Sequence, residues 1–421
     1  MMKSDVIASG AAPWIESHRA AAAKAWSELP WPEAKDPLWR YSPPALFEPG
    51  SYAADGAVDF AAGLSPASER SELGDGAYAE VFRFIDGAPA SCCLDASAPK
   101  GLSVSLGAED FPVSAARFLG GPELADKLRS RLWVEAGPFL GIELGAGVQL
   151  EKPLLVDWVD SRRGVYASPV ILLRLGEGSR ARVVVRWRSP RGPGAAADIL
   201  LSPALLVEMA SGSALELFEL AELSHASRLL DFPQAILGDR AELSWARGFF
   251  GSCASRSRLE ATLEGEGARL ELREACAAGS SQHIELAAKI RHVGAHTWSR
   301  VALDGIADGD GSAIASGLLE IDKTATGTDA YLSSRHLSLS PKAKVMSMPE
   351  LAIDTNDLVA SHGATVGSVG PDELFYLETR GLSPAQAKAA VAAGLLSRLV
   401  EKSPAELASH VGELVDEALH G

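Results

Sequence analysis

Histidine is the residue type with which this chain could most readily bind a metal or move a proton. His292 and His296 lie four residues apart, with His283 nearby, and on a helix that spacing would place two imidazoles on one face. The residues around them alternate as in strands and loops, so the pattern favours ordinary polar residues over a metal site. His362 lies between a serine and a glycine, where the pattern of the chain changes, and we expect it to be on a loop. Because small neighbours leave its ring accessible, it is the better candidate for a ligand or a catalytic group.

Several catalytic signatures are missing from the sequence. It contains no GxxxxGK[ST] phosphate loop, no GxGxxG, no HExxH and no GxSxG. The acidic run 304–310 lacks the ligand register of a calcium loop, which indicates a turn between strands. The four cysteines show neither CxxC spacing nor the density of a disulfide framework, which indicates reduced, mostly buried thiols: Cys92, Cys93, Cys253 and Cys276.

Length and charge limit the classes of function. A chain of 421 residues can bury a large core without a metal or a disulfide to stabilise it. A net charge of −16 argues against nucleic acid as a partner, because binding phosphate backbones requires a basic surface. No apolar run is long enough to insert into a membrane, and the N-terminus lacks a secretory hydrophobic segment. We therefore expect a soluble, cytoplasmic protein.

The first third of the chain predicts helices joined by irregular segments. Residues 13–29 form an amphipathic pattern rich in alanine, and residues 122–133 form another. We expect the first helix to pack through Trp14, Ala21, Ala25 and Leu29. Residues 79–87 alternate as a strand that ends in a turn. Residues 1–140 are therefore predicted to be a mixed, mainly helical N-terminal region.

The middle of the chain predicts a β-solenoid. Short alternating apolar segments, such as 153–159 and 169–175, follow one another with glycine between them. A similar sequence pattern, a glycine followed by small or polar residues and then an alternating apolar strand, recurs at separations of 34, 26 and 29 residues, beginning at Gly178, Gly212, Gly238 and Gly267. Such a period favours coils that bury their faces on neighbouring coils. A two-sheet sandwich fits less well, because no Asn-Gly or Asp-Gly hairpin turn links these strands. We assign residues 141–355 to this core.

The end of the chain changes to a helical period after residues 369–371. Ser383 is suited to cap a helix whose first residue is Pro384, and residues 404–420 form a second helical pattern. Residues 356–421 are therefore predicted to be a C-terminal helical region.

Four elements near the end of the core carry a resemblance to a known family. They are PELAI at 349–353, SHGATVG at 361–367, LFYL at 374–377 and RGL at 380–382. In this order they resemble the C-terminal signature of the SufB/SufD family of iron–sulfur cluster assembly scaffolds. Within that family they resemble the SufD members in particular. The segments LWRYS at 38–42 and HIEL at 283–286 extend the likeness. The resemblance implies a mainly β fold, a right-handed parallel β-helix core flanked by helical N-terminal and C-terminal regions. It also implies a noncatalytic scaffold subunit.

The resemblance also implies partners and a site. His362 falls on the histidine that the family places near the SufB–SufD interface, where it could ligate the iron of a transient iron–sulfur cluster. Tyr376, Arg380 and Gly381 would dock a SufC-like ATPase, and the β-helix would pair with a SufB-like subunit. Ala360 replaces a cysteine found in some SufD proteins, and residues 331–339 lack the cysteine that SufB-like proteins use. Thiolates for a cluster would then come from a partner.

Two alternatives stay open. One is a homodimeric scaffold of the same family that works without SufB. The other is a β-helix enzyme acting on polysaccharide, which would need clustered carboxylates on one face of the solenoid. The candidates for that role are scattered along the sequence: Asp198, Asp231 and Asp239.

Overall fold

The computed structural model shows a mainly β chain with helices at both ends. It describes residues 13–33, 35–48, 52–54, 77–91, 98–111, 113–118, 126–190 and 197–420. The strands form a parallel β-solenoid of about eight turns, which confirms the fold class predicted from the sequence. Cys92 and Cys93 lie outside the described residues.

The helices and strands have the following bounds. The helices are α1 (Pro13–Glu28), α2 (Lys127–Val134), α3 (Pro371–Thr379), α4 (Pro384–Lys402) and α5 (Ala408–His420), and short 3-10 helices occur at Pro37–Trp39, Pro44–Phe47 and Val113–Phe118. The strands are β1 (Ala53–Ala54), β2 (Glu80–Ile85), β3 (Ala88–Ser91), β4 (Leu102–Leu106), β5 (Phe139–Leu144), β6 (Leu154–Val159), β7 (Arg163–Ala167), β8 (Val170–Leu175), β9 (Arg180–Arg188), β10 (Asp198–Leu201), β11 (Ala204–Met209), β12 (Ala214–Leu223), β13 (Arg228–Asp231), β14 (Gln234–Leu237), β15 (Glu242–Gly251), β16 (Ala254–Leu263), β17 (Arg269–Ala278), β18 (His283–His292), β19 (Trp298–Ala307), β20 (Ser312–Ile321), β21 (Thr328–Ser338), β22 (Lys344–Ile353) and β23 (Leu358–Ser368).

The solenoid is made of two facing sheets. The first sheet runs through β8, β11, β14 and β16 and then adds β18, β20 and β22. The second sheet runs through β6, β9, β12, β15, β17, β19, β21 and β23. From β16 onward each coil contributes one long strand to each sheet, so the chain crosses between the sheets at every turn. Antiparallel pairing joins β2 to β3 and β4 to β5, at the other end of the solenoid.

Equivalent positions of successive coils pair one to one. In the second sheet, Leu217 pairs with Trp245, which in turn pairs with Leu272 of the next coil. The row continues through Val301 and Leu332, and all five side chains are buried. Alternate residues of each strand point into the space between the sheets, where they form one continuous apolar core. Each coil therefore depends on its two neighbours for both hydrogen bonds and burial.

Glycines allow the turns of successive coils to stack closely. Gly178, Gly212 and Gly267 have φ values of 63°, 67° and 68°, a left-handed conformation that favours glycine. Gly265 lies directly against the backbone of Gly238, so a Cβ there would overlap main-chain atoms of the preceding coil. The glycine recurrence seen in the sequence thus marks the turns of the solenoid.

The N-terminal elements pack on the outer face of the first sheet. α1, α2 and the short helices form a second apolar cluster with outward-facing residues of the solenoid. Trp39 is buried with the guanidinium of Arg256 stacked 3.9 Å from its ring centre. The predicted helix 13–29 is present, but the expectation that Ala21 would pack inward was wrong, since Ile15 and Ala22 are its buried residues and Ala21 is exposed.

The C-terminal helices cover the outer face of the second sheet. Leu396 and Leu399 of α4 pack on Phe218 and Ala246. Polar contacts reinforce this packing, because Lys402 lies 2.8 Å from Glu271 of β17 and His410 lies 2.7 Å from Glu222 of β12.

The segment that links the core to these helices is a strand. Residues 356–370, grouped above with the C-terminal helical region, include β23, and the first helix begins at Pro371. β23 pairs in parallel with β21 along its whole length, so this segment forms part of the last coil. The division of the chain into three regions as such stays a prediction.

Candidate functional site

The last coil of the solenoid is uncovered. β22 pairs with β20 and β23 pairs with β21, and among the described residues no strand pairs with the outer edge of either. Earlier coils are enclosed between two neighbours, whereas the interior residues of this coil face one neighbour only. Solenoid ends normally need a polar cap, and open strand edges promote pairing with another chain.

Exposed apolar side chains gather at this end. Val359 and Val366 of β23 are 69% and 51% exposed, and Met346 and Ile353 of β22 are also exposed. Most other large apolar residues of the solenoid are buried in its core. An apolar surface concentrated at one end of a molecule is typical of an interaction site.

His362 lies in the middle of this surface. The expectation that it lies on a loop was wrong, because it is a residue of β23 and pairs with Leu332 of β21. Leu332 points into the core, so the in-register position of His362 places its ring on the inner side of the last coil. Its side chain is exposed because no further coil follows among the described residues. The ring therefore lies at the open end of the apolar interior.

His362 does not belong to a complete metal site of this chain, because no three His, Cys, Asp or Glu side chains converge among the described residues. Ala360 pairs with Ala330, and Ser334 of β21 pairs with Ala364, so no thiol lies on this part of the sheet. This chain therefore offers one imidazole at the end of the solenoid, and further ligands would have to come from another molecule.

The two described cysteines lie elsewhere. Cys276 is fully buried inside the solenoid, and burial raises the pKa of its thiol to about 12. Cys253 is partly buried, and burial raises its pKa as well. Neither thiol is activated as a nucleophile, since activation requires a lowered pKa.

The other histidines make ordinary polar contacts. His292 is buried, with Nδ1 2.9 Å from Thr297 Oγ1 and Nε2 2.9 Å from Ser299 Oγ, and burial lowers its pKa to about 4. His283 Nε2 lies 2.7 Å from Ser42 Oγ, a contact that anchors the N-terminal segment on the solenoid. His296 occupies a turn with φ of 56°. His292 and His283 thus hold neighbouring hydroxyl groups in this structure.

The residues expected to dock an ATPase lie together on an exposed helix. α3 packs against α4, and Phe375 and Tyr376 on its surface are 68% and 57% exposed. Arg380 Nη2 donates to the Tyr376 hydroxyl at 3.1 Å, and its guanidinium lies 5.2 Å from the ring centre. Gly381 follows with φ of 93° and ends the helix. Phe375 is an exposed neighbour of this surface that the sequence analysis did not single out.

The three acidic residues considered for a polysaccharide-active enzyme are separated by their contacts. Asp198 accepts a hydrogen bond from the Tyr52 hydroxyl at 3.0 Å, and Asp239 accepts one from the backbone of Glu266 in a turn. Asp231 is buried beside Arg247 in the core. They do not form a pair of carboxylates on one open face, which that reaction requires.

A buried ionic cluster inside the solenoid was not predicted from the sequence. Arg247 of β15 is fully buried and bonds Glu219 of β12 at 2.6 Å, Glu274 of β17 at 2.5 Å and Asp231 of β13. Burial raises the pKa of Glu274 to about 7, although the neighbouring guanidinium opposes this. Burial likewise raises the pKa of Asp231. One guanidinium faces three carboxylates, so the cluster retains a proton near neutral pH.

Fold and site together define a class of protein, a β-solenoid whose open end and C-terminal helices present surfaces for other chains. Residues 159–395, more than half of the chain, match the family model described as SUF system FeS cluster assembly, SufBD core domain. The chain belongs to the SufB/SufD family of iron–sulfur cluster assembly proteins, whose members are assembly scaffold components.

Curated relatives support the same family. A SufBD family iron–sulfur cluster assembly protein of Mycobacterium tuberculosis (strain H37Rv) is 28% identical over 181 residues, which are 43% of this chain and 21% of the relative. The protein SufD of Bacillus subtilis is 26% identical over 273 residues, 65% of this chain and 62% of the relative. SufB of the same bacterium is 25% identical over 188 residues, 45% and 40% of the two chains. The matched segments span less than two thirds of each relative.

Among the helices that the structure describes, none has the length and apolar character needed to cross a bilayer.

The buried cluster gives a prediction for the pH dependence of stability. The folded-state pKa of Glu274, about 7, lies above the ordinary value of 4.5, so the folded protein binds this proton more tightly. The stabilisation is complete below pH 4.5 and is lost as the pH rises to about 7, at up to ~1.4 kcal/mol per pH unit. Glu274→Gln keeps the uncharged shape and should flatten this slope. Urea unfolding at several pH values measures the slope, with the exposed Glu242→Gln as control. If the stability of the Glu274→Gln protein falls with pH as steeply as that of the unmodified protein, Glu274 is not the source of the pH dependence.

Proposed function

We propose that this chain is a noncatalytic, SufD-like scaffold subunit of an iron–sulfur cluster assembly complex in the cytoplasm. It pairs through the open end of its solenoid with a SufB-like subunit and through its C-terminal helices with a SufC-like ATPase. The observation that carries the proposal is the uncovered last coil, with His362 at its centre.

The need to cover an apolar end favours a partner that extends the sheets. β22 and β23 each offer an unpaired edge about ten residues long among the described residues, and another strand could continue the hydrogen-bond ladder there. Val366, which is in register with the buried His336, would become buried in the same step, which adds apolar burial to the hydrogen bonds. A SufB-like chain of the same family has the matching architecture for this role.

His362 is suited to share a cluster with that partner. A neutral imidazole binds iron through a ring nitrogen, and clusters can combine imidazole with thiolate ligands. Since the strands around His362 carry no thiol, the remaining ligands would come from the SufB-like side of the interface. The cluster is then a transient cargo of the complex, held where two chains meet.

The C-terminal helices offer a second, separate surface. Phe375 and Tyr376 of α3 are exposed, and Arg380, just after the helix, donates to the Tyr376 hydroxyl. Aromatic and arginine side chains of this kind often anchor protein interfaces. α4 and α5 are bound to the solenoid by apolar and ionic contacts, so movement of an ATPase bound there would be transmitted to the core.

A second copy of this chain is the alternative occupant of the open end. An edge strand can pair with its own copy about a twofold axis, which would bring two His362 residues together. The experiments below distinguish the two occupants, because a homodimer forms from the isolated chain and needs no SufB-like subunit.

The first prediction concerns the edge. Val366→Lys should prevent association with the SufB-like subunit of the same organism, because Val366 is in register with buried His336 and pairing would enclose the new charge without a partner, at a cost of several kcal/mol. Co-expression followed by size-exclusion chromatography with light scattering measures the complex. Ala146→Lys adds the same charge in an exposed turn between β5 and β6 and should leave association unchanged. A Val366→Lys protein that still forms the complex would exclude this edge as the interface.

The second prediction concerns His362. His362→Ala should leave the complex and its thermal stability intact, because the ring is exposed, but should lower the iron and sulfide retained after anaerobic reconstitution. His292→Ala is the matched control, since it removes a hydrogen bond from the buried hydroxyls of Thr297 and Ser299 and should cost about 1–3 kcal/mol of stability. Unchanged iron and sulfide in the His362→Ala complex would show that this residue is not a cluster ligand.

The third prediction concerns the ATPase. Replacing both Tyr376 and Arg380 by alanine should weaken binding of the SufC-like subunit by about tenfold or more, roughly 1.4 kcal/mol, while association with the SufB-like subunit is kept. Isothermal titration with the purified ATPase gives the affinity. Lys323→Ala, in an exposed turn of the solenoid, is the control. If the unmodified chain, the double variant and the Lys323→Ala protein all bind the ATPase with equal affinity, the docking site does not include Tyr376 and Arg380.

A further inference from the structure

Inside the solenoid, a thiol and an imidazole lie at equivalent positions of different strands, on either side of a glycine. Cys276 of β17 pairs with Gly305 of β19, which pairs with His336 of β21. All three face the interior, between the two sheets. Because the middle position is a glycine, no side chain stands between Cys276 and His336.

The ring of His336 leans into this space. A Cβ placed on Gly305 would lie only 2.6 Å from His336 Nε2. His336 is 2% exposed, and its Nδ1 lies 3.3 Å from Ser334 Oγ. Nε2 is buried and has no hydrogen-bond partner among the described residues, although buried polar atoms are normally paired. This nitrogen therefore points a free donor or acceptor position into the interior.

Cys276 approaches the gap from the opposite side. Its side chain is fully buried in the interior cluster, in register with Gly305. Adjacent strands are spaced by about 4.8 Å, so the single open position at Gly305 separates the two side chains.

A sulfur and an imidazole nitrogen are ligands that a soft metal ion prefers. Zinc in proteins takes four ligands, and a third His, Cys, Asp or Glu does not join these two in the described part of the chain. Cuprous ion, with a filled d shell, is stable with two donors in a linear arrangement. We propose that the gap over Gly305 is a binding site for one Cu(I) ion, held by Cys276 Sγ and His336 Nε2.

Binding changes protonation but not oxidation state. The Cys276 thiol releases its proton to solvent as the sulfur bonds copper, and His336 donates the lone pair of Nε2. Phe249 precedes Cys276 in the same row of interior residues, and Ala313 of the first sheet lies against Gly305. These apolar neighbours keep water and oxidants from the ion, which favours the cuprous state.

The row of interior residues that contains the site continues to the open end of the solenoid. Val366 of β23 is the next residue in the same row after His336, and it belongs to the uncovered last coil. The site therefore lies one coil inside the molecule. It uses neither His362 nor the partner surfaces, so it is independent of the proposed scaffold role.

The test is an anaerobic titration of the reduced chain with Cu(I), in competition with the chromophoric chelator bicinchoninate. The protein carries Cys92→Ser, Cys93→Ser and Cys253→Ser, so that Cys276 is its remaining cysteine. One equivalent of Cu(I) should bind. Cys276→Ser or His336→Gln should weaken binding by more than the roughly 10–100-fold that loss of a second-shell partner costs, whereas His362→Ala should leave it unchanged.

X-ray absorption of the copper-loaded protein decides the ligands even if a substitution impairs folding. One sulfur and one nitrogen donor support the site. A copper ion without a sulfur donor, undiminished binding in the Cys276→Ser protein, or failure of the protein with Cys276 as its remaining cysteine to bind Cu(I) would overturn it. Loss of binding in the His362→Ala protein would place copper at the open end instead.

Discussion

Each coil of this protein is held by the coil before it and the coil after it, and the rest of the structure depends on that constraint. The paired strands supply the hydrogen bonds, and the inward side chains supply a core that is continuous along the solenoid. A stack of this kind has ends. At β4 the first sheet finishes with an antiparallel strand, whereas β22 and β23 finish with open edges among the described residues. The functional proposal follows from that difference.

Much of the fold could be predicted from local patterns. Glycines such as Gly212 and Gly267 revealed the repeat because each turn needs a left-handed residue at a similar place. Ser383 and Pro384 predicted the start of α4, and the structure has that capping arrangement. The buried face predicted for α1 differs from the observed face, because an alanine-rich helix offers several faces of similar hydrophobicity.

The candidate site was harder to predict, because it depends on contacts between distant residues. Sequence placed His362 near the end of the core, but not its pairing with Leu332, which shows that it faces the interior. Arg247 meets Glu219 and Glu274 only because coils about 27 or 28 residues apart stack in register. A register shift of one residue would turn these side chains to the other face, so the cluster depends on how the coils pair, and the positions of the charges along the sequence do not show that pairing.

Hydrogen exchange along β22 and β23 tests the central claim most directly. The dilute isolated chain should exchange the unpaired amides of these edges quickly, because they are not enclosed by a further coil. In a mixture with the SufB-like subunit the same amides should become protected, while those of β15 and β17 stay unchanged. If the two chains associate and these edges exchange at the same rate as before, the open end is not where the partner binds.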